Sequence, residues 1–120
     1  MKKTVLVLGA STNPARFSNI AIHKLLAHHH TVFAVGNRET NDFVVPIHTK
    51  IPENIHVDTV TLYLNPGRQA AYEDQILALK PARIIFNPGT ENHAFAQLAQ
   101  QNGIHTVEDC TLVMLNSGAF

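Results

Sequence analysis

Two rhythms of apolar residues alternate along this chain. Val5 to Leu8 is an unbroken apolar run that stops at Gly9, the pattern of a strand buried on both faces. Ile20, Ala21, Ile22, Leu25 and Leu26 then recur at helical spacing and predict a first helix from about Ser18 to His28, capped by Ser18 or Asn19. Thr31 to Val35 is a β-branched second strand ending at Gly36, and Phe43 to Ile47 is a short third one crossed by Pro46, which places it at a sheet edge. Thr59 to Leu64 makes a fourth strand. Asn65-Pro66 supplies a cap and a first-position proline for a second helix running to about Leu79, with Ala70, Ile76, Leu77 and Leu79 toward the sheet and Pro81 stopping it after Lys80. Ala82 to Phe86 is a fifth strand closed by Asn87-Pro88-Gly89. Thr90 caps a third helix with Ala94, Phe95, Leu98 and Ala99 on one face and Gly103 at its left-handed end. Ile104 to Val107 is a sixth short strand, and Asp109 to Leu115 a last helix, although Thr111 to Val113 would also suit a strand.

Strands separated by helices require right-handed crossovers and a parallel sheet covered on both faces. The class is α/β: a Rossmann-like, doubly wound parallel sheet of about five strands in a three-layer αβα arrangement. The 120 residues are the size of one compact domain, and no repeat, linker or low-complexity tract divides residues 1–120. Nine basic residues balance nine acidic ones, which argues against a nucleic-acid footprint and for a small ligand. A single cysteine, Cys110, rules out an internal disulfide framework and fits the cytoplasm. The Met-Lys-Lys opening with Val5 to Ala10 is too short for a secretory signal, and no stretch reaches the length of a membrane span.

Chemistry is concentrated after the strands. A buried strand that stops at Gly9 and leads through a short loop to a helix is the sequence form of a phosphate cradle, because a glycine lets a ligand approach the backbone and the helix N–H groups face the anion. Arg16, Arg38 and Arg68 follow the first, second and fourth strands, whereas Lys2, Lys3 and Lys80 precede strands and Lys24 lies inside the first helix. Ligands of such sheets lie outside the carboxyl ends of the strands. Guanidinium groups bind phosphate oxygens bidentately, so this sorting points to a ligand with several phosphates.

The full dinucleotide fingerprint is absent, since Ser11 and Pro14 stand where further glycines belong. No acid ends the second strand to hold a ribose hydroxyl; the chain reads Val35-Gly36-Asn37-Arg38. An uncharged turn followed by arginine suits a phosphorylated ribose, as in NADP or coenzyme A, and the residues alone do not separate the two.

Gly9-Ala10-Ser11 with Asn13-Pro14, Ala34-Val35-Gly36-Asn37-Arg38, Val57-Asp58-Thr59-Val60, Asn87-Pro88-Gly89 with Glu91-Asn92, and Asp109-Cys110 together resemble the stand-alone CoA-binding domain family, which is similar to the CoA-binding domain of succinyl-CoA synthetase α subunits. The resemblance spans almost the whole chain. It implies a Rossmann-like domain holding coenzyme A or acyl-CoA across the strand ends, with no established chemistry of its own. The pyrophosphate would lie at the loop of Gly9, Ala10, Ser11, Thr12 and Asn13, with Arg16, Arg38 and Arg68 as cations. The adenine and ribose would lie by Asn37 and Arg38, and the pantetheine would run past Asn65-Pro66 and Asn87-Pro88-Gly89. The chain departs from the family at Val35-Gly36-Asn37, where relatives read Val-Asn-Pro, and at Asp109-Cys110, where many read Asp-Arg-Cys. An NADP-dependent oxidoreductase or redox sensor, and a ligand-free interaction module on the same fold, are the alternatives.

No catalytic residue is assigned. Asp109 would raise the pKa of Cys110, the wrong direction for an activated thiol. A place in the first turn of the last helix would oppose that effect, and a structural role is the preferred reading. His28, His29 and His30 cannot all aim at one ion from a regular element; they suit the carboxyl end of the first helix, and no metal is assigned. His93 could touch a ligand at the start of the third helix but reads as solvent-facing, and His105 reads as a core residue. Glu91 and Asp109 could form a carboxylate pair near the site. A short edge strand and an apolar tail ending at Phe120 ask for cover, which a homodimer would supply.

Overall fold

A computed structural model describes residues 2–120; Met1, the first residue of the domain reading and of the Met-Lys-Lys opening, lies outside them. The elements are β1 (Thr4–Ala10), α1 (Phe17–Ala27), β2 (Thr31–Gly36), β3 (Ile47–His48), β4 (Thr59–Leu62), α2 (Pro66–Gln69), a 3-10 turn (Ala70–Tyr72), α3 (Glu73–Leu79), β5 (Arg83–Phe86), α4 (His93–Gln101), β6 (His105–Glu108) and α5 (Thr111–Ser117). Six strands form one parallel sheet in the order β3-β2-β1-β4-β5-β6. The chain winds outward from β1 to one edge, then returns to β4 on its other side, so the order reverses beside β1. No helix among the described residues is long and apolar enough to cross a membrane.

The continuous apolar run of β1 serves both faces, because successive side chains alternate. Val5 and Val7 join Ile22 and Leu25 of α1 and Leu115 of α5 on one side. Leu6 and Leu8 join Leu62, Ile76, Ile84, Phe86, Phe95 and Ala99 on the other. Burying each of these side chains larger than alanine contributes about 1.5–3 kcal/mol. Phe86 and Phe95 meet edge to face, with centroids 6.0 Å apart.

Several expected details differ. Neither Ser18 nor Asn19 caps α1: Asn13 opens a turn, accepting from the Ala15 N–H at Oδ1 and from the Arg16 N–H at its carbonyl, which delivers the chain into the helix early. Ser18 and Asn19 are instead buried in the first turn, and Asn19 Nδ2 donates to the Ser11 carbonyl at 3.0 Å. The third strand is only Ile47–His48, at the edge as expected. Thr40 and Ile47 exchange two antiparallel backbone bonds of 2.9 Å, folding Phe43 to Pro46 into a loop tip. The second helix is divided by the 3-10 turn; Asn65 and Pro66 start it as expected, but Gln69 takes the inward place and Ala70 is exposed.

Asn92, not Thr90, caps α4, accepting from the Phe95 N–H, while the Thr90 hydroxyl donates to the Asn87 carbonyl. Phe95 and Ala99 face inward from α4, whereas Ala94 and Leu98 are exposed. Gly103 has φ +78° and follows α4 as expected. Thr111 to Val113 are helical, which removes the strand alternative. His105 is exposed on the edge strand β6, not a core residue. His28 to His30 end α1, and His30 turns inward to accept the Lys3 N–H at Nδ1, 3.0 Å.

Candidate functional site

Where strand order reverses, the loops after β1 and β4 diverge to opposite faces and leave a crevice. A cleft of about 870 Å³ opens there, lined by Gly9, Ala10, Ser11, Thr12, Arg16, Asn37, Arg38, Asn65, Arg68, Pro88 and Gly89 among the expected residues. That volume is in the range of small-molecule sites. A smaller cavity of about 280 Å³ shares Gly9, Asn37, Leu64 and Arg68 with it and continues to Val35, Gly67 and Tyr72.

Three expected residues are not part of the cleft lining. Asn13 is exposed and engaged in its own turn, and Pro66 occupies the exposed start of α2. Asn87 is buried beneath the site, where its Nδ2 donates to Thr61 Oγ1 at 2.7 Å and to the Leu62 carbonyl at 2.8 Å. Its Oδ1 accepts the Thr111 N–H at 2.9 Å. With its amide engaged on both sides, Asn87 fastens the start of α5 to β4 and β5 beneath the lining.

Gly9 has φ +92°, and a Cβ on it would lie 2.9 Å from the Tyr63 backbone carbon and oxygen. Glycine is thus required so that the end of β1 can lie against the segment leaving β4, a packing reason that stands beside the close ligand approach suggested by the sequence. A Cβ at Gly36 would lie 2.4 Å from the Ala10 carbonyl oxygen. The departure from the family pattern at Gly36 therefore has a packing cause between β1 and β2.

The chemistry of the cleft suits an anion. Among the described residues, the N–H groups of Thr12, Phe17 and Ser18 find no protein acceptor, and the latter two open the 11-residue α1, whose dipole favours negative charge at that end. Arg16 and Arg38 reach the cleft from the loops after β1 and β2 and Arg68 from α2, and none pairs with a carboxylate among the described residues, where the one contact between an acid and a basic side chain joins Glu39 and His48. Arg68 Nη2 donates to Asn37 Oδ1 at 2.5 Å, a tie between α2 and the end of β2 on opposite sides of β1. Asp42 is the single carboxylate in the lining.

Sequence reasoning missed Phe17, Ser18, Thr40, Asp42, Ile47, Tyr63, Leu64 and Thr90. The position of Tyr63 and Leu64 just past β4 was an available signal; Asp42 and Thr40 carried none. Phe17 is 70% exposed at the rim. Burial pushes the Tyr63 phenol up to about 12, with nearby Thr111 opposing the shift. The Thr61 and Thr111 hydroxyls bond to each other at 2.8 Å, leaving the phenol oxygen without a well-formed bond.

Other candidates lie apart from the lining. Cys110 is half-buried at the start of α5, with its N–H donated to Asp109 Oδ1 at 2.7 Å. Glu91 Oε1 accepts the Gly89 N–H at 2.9 Å, and His93 is exposed at the start of α4. No group of three or more His, Cys, Asp or Glu suited to a metal occurs among the described residues.

Strand order, parallel pairing and a cleft at the reversal point define a Rossmann-like doubly wound α/β domain, a class that takes its ligands at the carboxyl edge. The chain belongs to the CoA binding domain family, which matches residues 3–116. A crystal structure of an uncharacterized protein is 42% identical, with 100% of this chain and 99% of that chain covered and a TM-score of 0.94. A Thermus thermophilus protein is 22% identical over 98% of this chain and 90% of its own, with a TM-score of 0.87. A hypothetical protein from Pyrococcus horikoshii OT3 is 22% identical over 96% and 82%, with a TM-score of 0.85; these last two show the fold alone. No curated protein matches the chain.

Proposed function

We propose that this chain is a cytoplasmic module that binds coenzyme A or a small acyl-CoA, with residues 1–120 acting as one ligand-binding unit and no catalysis of its own. The observation that carries this reading is the convergence of Arg16, Arg38 and Arg68, none paired with an acid among the described residues, on a cleft beside the free amides of Thr12, Phe17 and Ser18. Membership of the CoA binding domain family supports the choice of ligand.

The residues suit the group. Coenzyme A carries a pyrophosphate and a ribose phosphate, and it supplies a thiol that carries acyl groups as thioesters. The pyrophosphate is assigned to the Gly9–Thr12 loop and the start of α1, with Arg16 and Arg68 as counter-charges. Arg38 is assigned to the ribose phosphate, the adenine to the side of Asn37, and the pantetheine to the side of Asn65, Pro88 and Gly89.

Calorimetric titration separates this reading from its rivals. The expected result is saturable heat with coenzyme A and displacement of any bound NADPH by it. Saturation by NADPH with no competition from coenzyme A would replace this reading with the oxidoreductase one. No heat with coenzyme A, acyl-CoA or NADP would favour an interaction module.

A further inference from the structure

Arg38 and Glu39 are neighbours in the loop after β2, yet their charges do not meet. Glu39 Oε2 accepts the Thr49 N–H at 2.6 Å and the Thr49 hydroxyl at 2.9 Å, and Oε1 lies 3.4 Å from His48 Nδ1. The Thr49 backbone bond, the Thr49 hydroxyl and His48 together hold the Glu39 carboxyl below its ordinary range. Just inside these contacts Thr40 and Ile47 exchange two backbone bonds of 2.9 Å, and Ile47 is paired with Ala34 of β2. The carboxylate thus ties the segment leaving β2 to the segment leaving β3. Thr40, Asp42 and Ile47 of the enclosed segment line the cleft, as does Arg38 directly before its base.

This arrangement has two consequences for an anion in the cleft. The acid beside Arg38 is engaged elsewhere, so the guanidinium is free for a ligand. The loop is also fastened at its base, which lowers the ordering cost of bringing Arg38 to that ligand. We infer that Glu39 is a positioning residue, one that touches no ligand itself and sets the loop so that Arg38 discriminates for the ribose phosphate. The inference rests on the coenzyme A reading of the cleft.

Opposing effects make the test decisive. As a bare negative charge Glu39 would weaken phosphate binding, and its removal would tighten it; as a clip, its removal weakens discrimination. Affinities for coenzyme A and dephospho-CoA are measured by calorimetry for the wild type, E39A, E39Q and T49V, with melting temperatures. Glu39→Ala is expected to lower the coenzyme A to dephospho-CoA affinity ratio about tenfold, with dephospho-CoA affinity held within about twofold. Glu39→Gln retains an acceptor for the Thr49 amide and is expected to stay within about threefold of the wild-type ratio. Thr49→Val, which deletes only the hydroxyl bond, should fall between them and serves as the test if E39A does not fold. An unchanged ratio in E39A, or tighter coenzyme A binding by both Glu39 variants, would overturn the clip alone. Equal wild-type affinity for the two ligands would overturn the reading of Arg38 and the clip with it.

Discussion

At the scale of single residues, the cations of the site and about half of its neutral lining were legible. Arg16, Arg38 and Arg68 follow strands at the ligand edge, so an elementary rule of parallel sheets located them. Asn87 had the same placement but a different fate, because its amide is completed by Thr61, Leu62 and Thr111 inside the protein; spacing cannot show which way a side chain turns. This division is testable. Arg38→Ala should weaken coenzyme A by on the order of 1.5–3 kcal/mol, the range for a hydrogen bond to a charged group, with a smaller loss for dephospho-CoA; equal losses would remove Arg38 from the ribose phosphate. Asn87→Ala should instead destabilise the fold, by about 1–3 kcal/mol for the stranded Thr111 amide alone in urea titrations, while the folded fraction keeps its coenzyme A affinity within about tenfold.

At the scale of elements, strands and helices followed from apolar periodicity, while their ends depended on side-chain bonds that periodicity does not encode. The start of α1 shows why. Two good capping residues, Ser18 and Asn19, stand where a cap was expected, but the turn begun by Asn13 starts the helix at Phe17 and frees Asn19 to bind the Ser11 carbonyl. That bond fastens the anion loop to the helix whose amides face the cleft. Asn19→Ala should lower stability by about 0.5–1.5 kcal/mol, since a part-buried hydrogen bond is lost, and should speed amide exchange at Asn13, whose N–H is held by Ser11 Oγ. Unchanged exchange there would show that the loop is held without Asn19.

At the scale of the whole molecule, alternation of strands and helices with right-handed crossovers was enough to give a doubly wound sheet, and the structure supplies the strand order and joins the expected sixth short strand to a sheet read as about five. The sheet edge opposite the cleft is held differently. His30 accepts the Lys3 amide, its ring lies 5.0 Å from that of Phe120, and the Arg83 guanidinium stacks 4.4 Å from the same ring. Burial first, and then Lys3, push the His30 pKa below its ordinary 6.5. The folded state therefore favours the neutral ring. The contribution is complete above the unfolded pKa near 6.5 and is lost as pH falls through the lower folded value. Urea midpoints should fall between pH 7.5 and 5, by less in His30→Asn than in the wild type; identical slopes would place the acid sensitivity elsewhere.

The central claim is that the start of α1 and the loop after β1 receive the phosphates of coenzyme A. Its most direct test is a backbone amide NMR titration of the folded protein with coenzyme A. The account predicts the largest saturating shifts at Thr12, Phe17 and Ser18, with Lys3 and His30 at the far edge unmoved. Saturating shifts centred on the far edge, or none at Thr12, Phe17 and Ser18 under saturation, would contradict it.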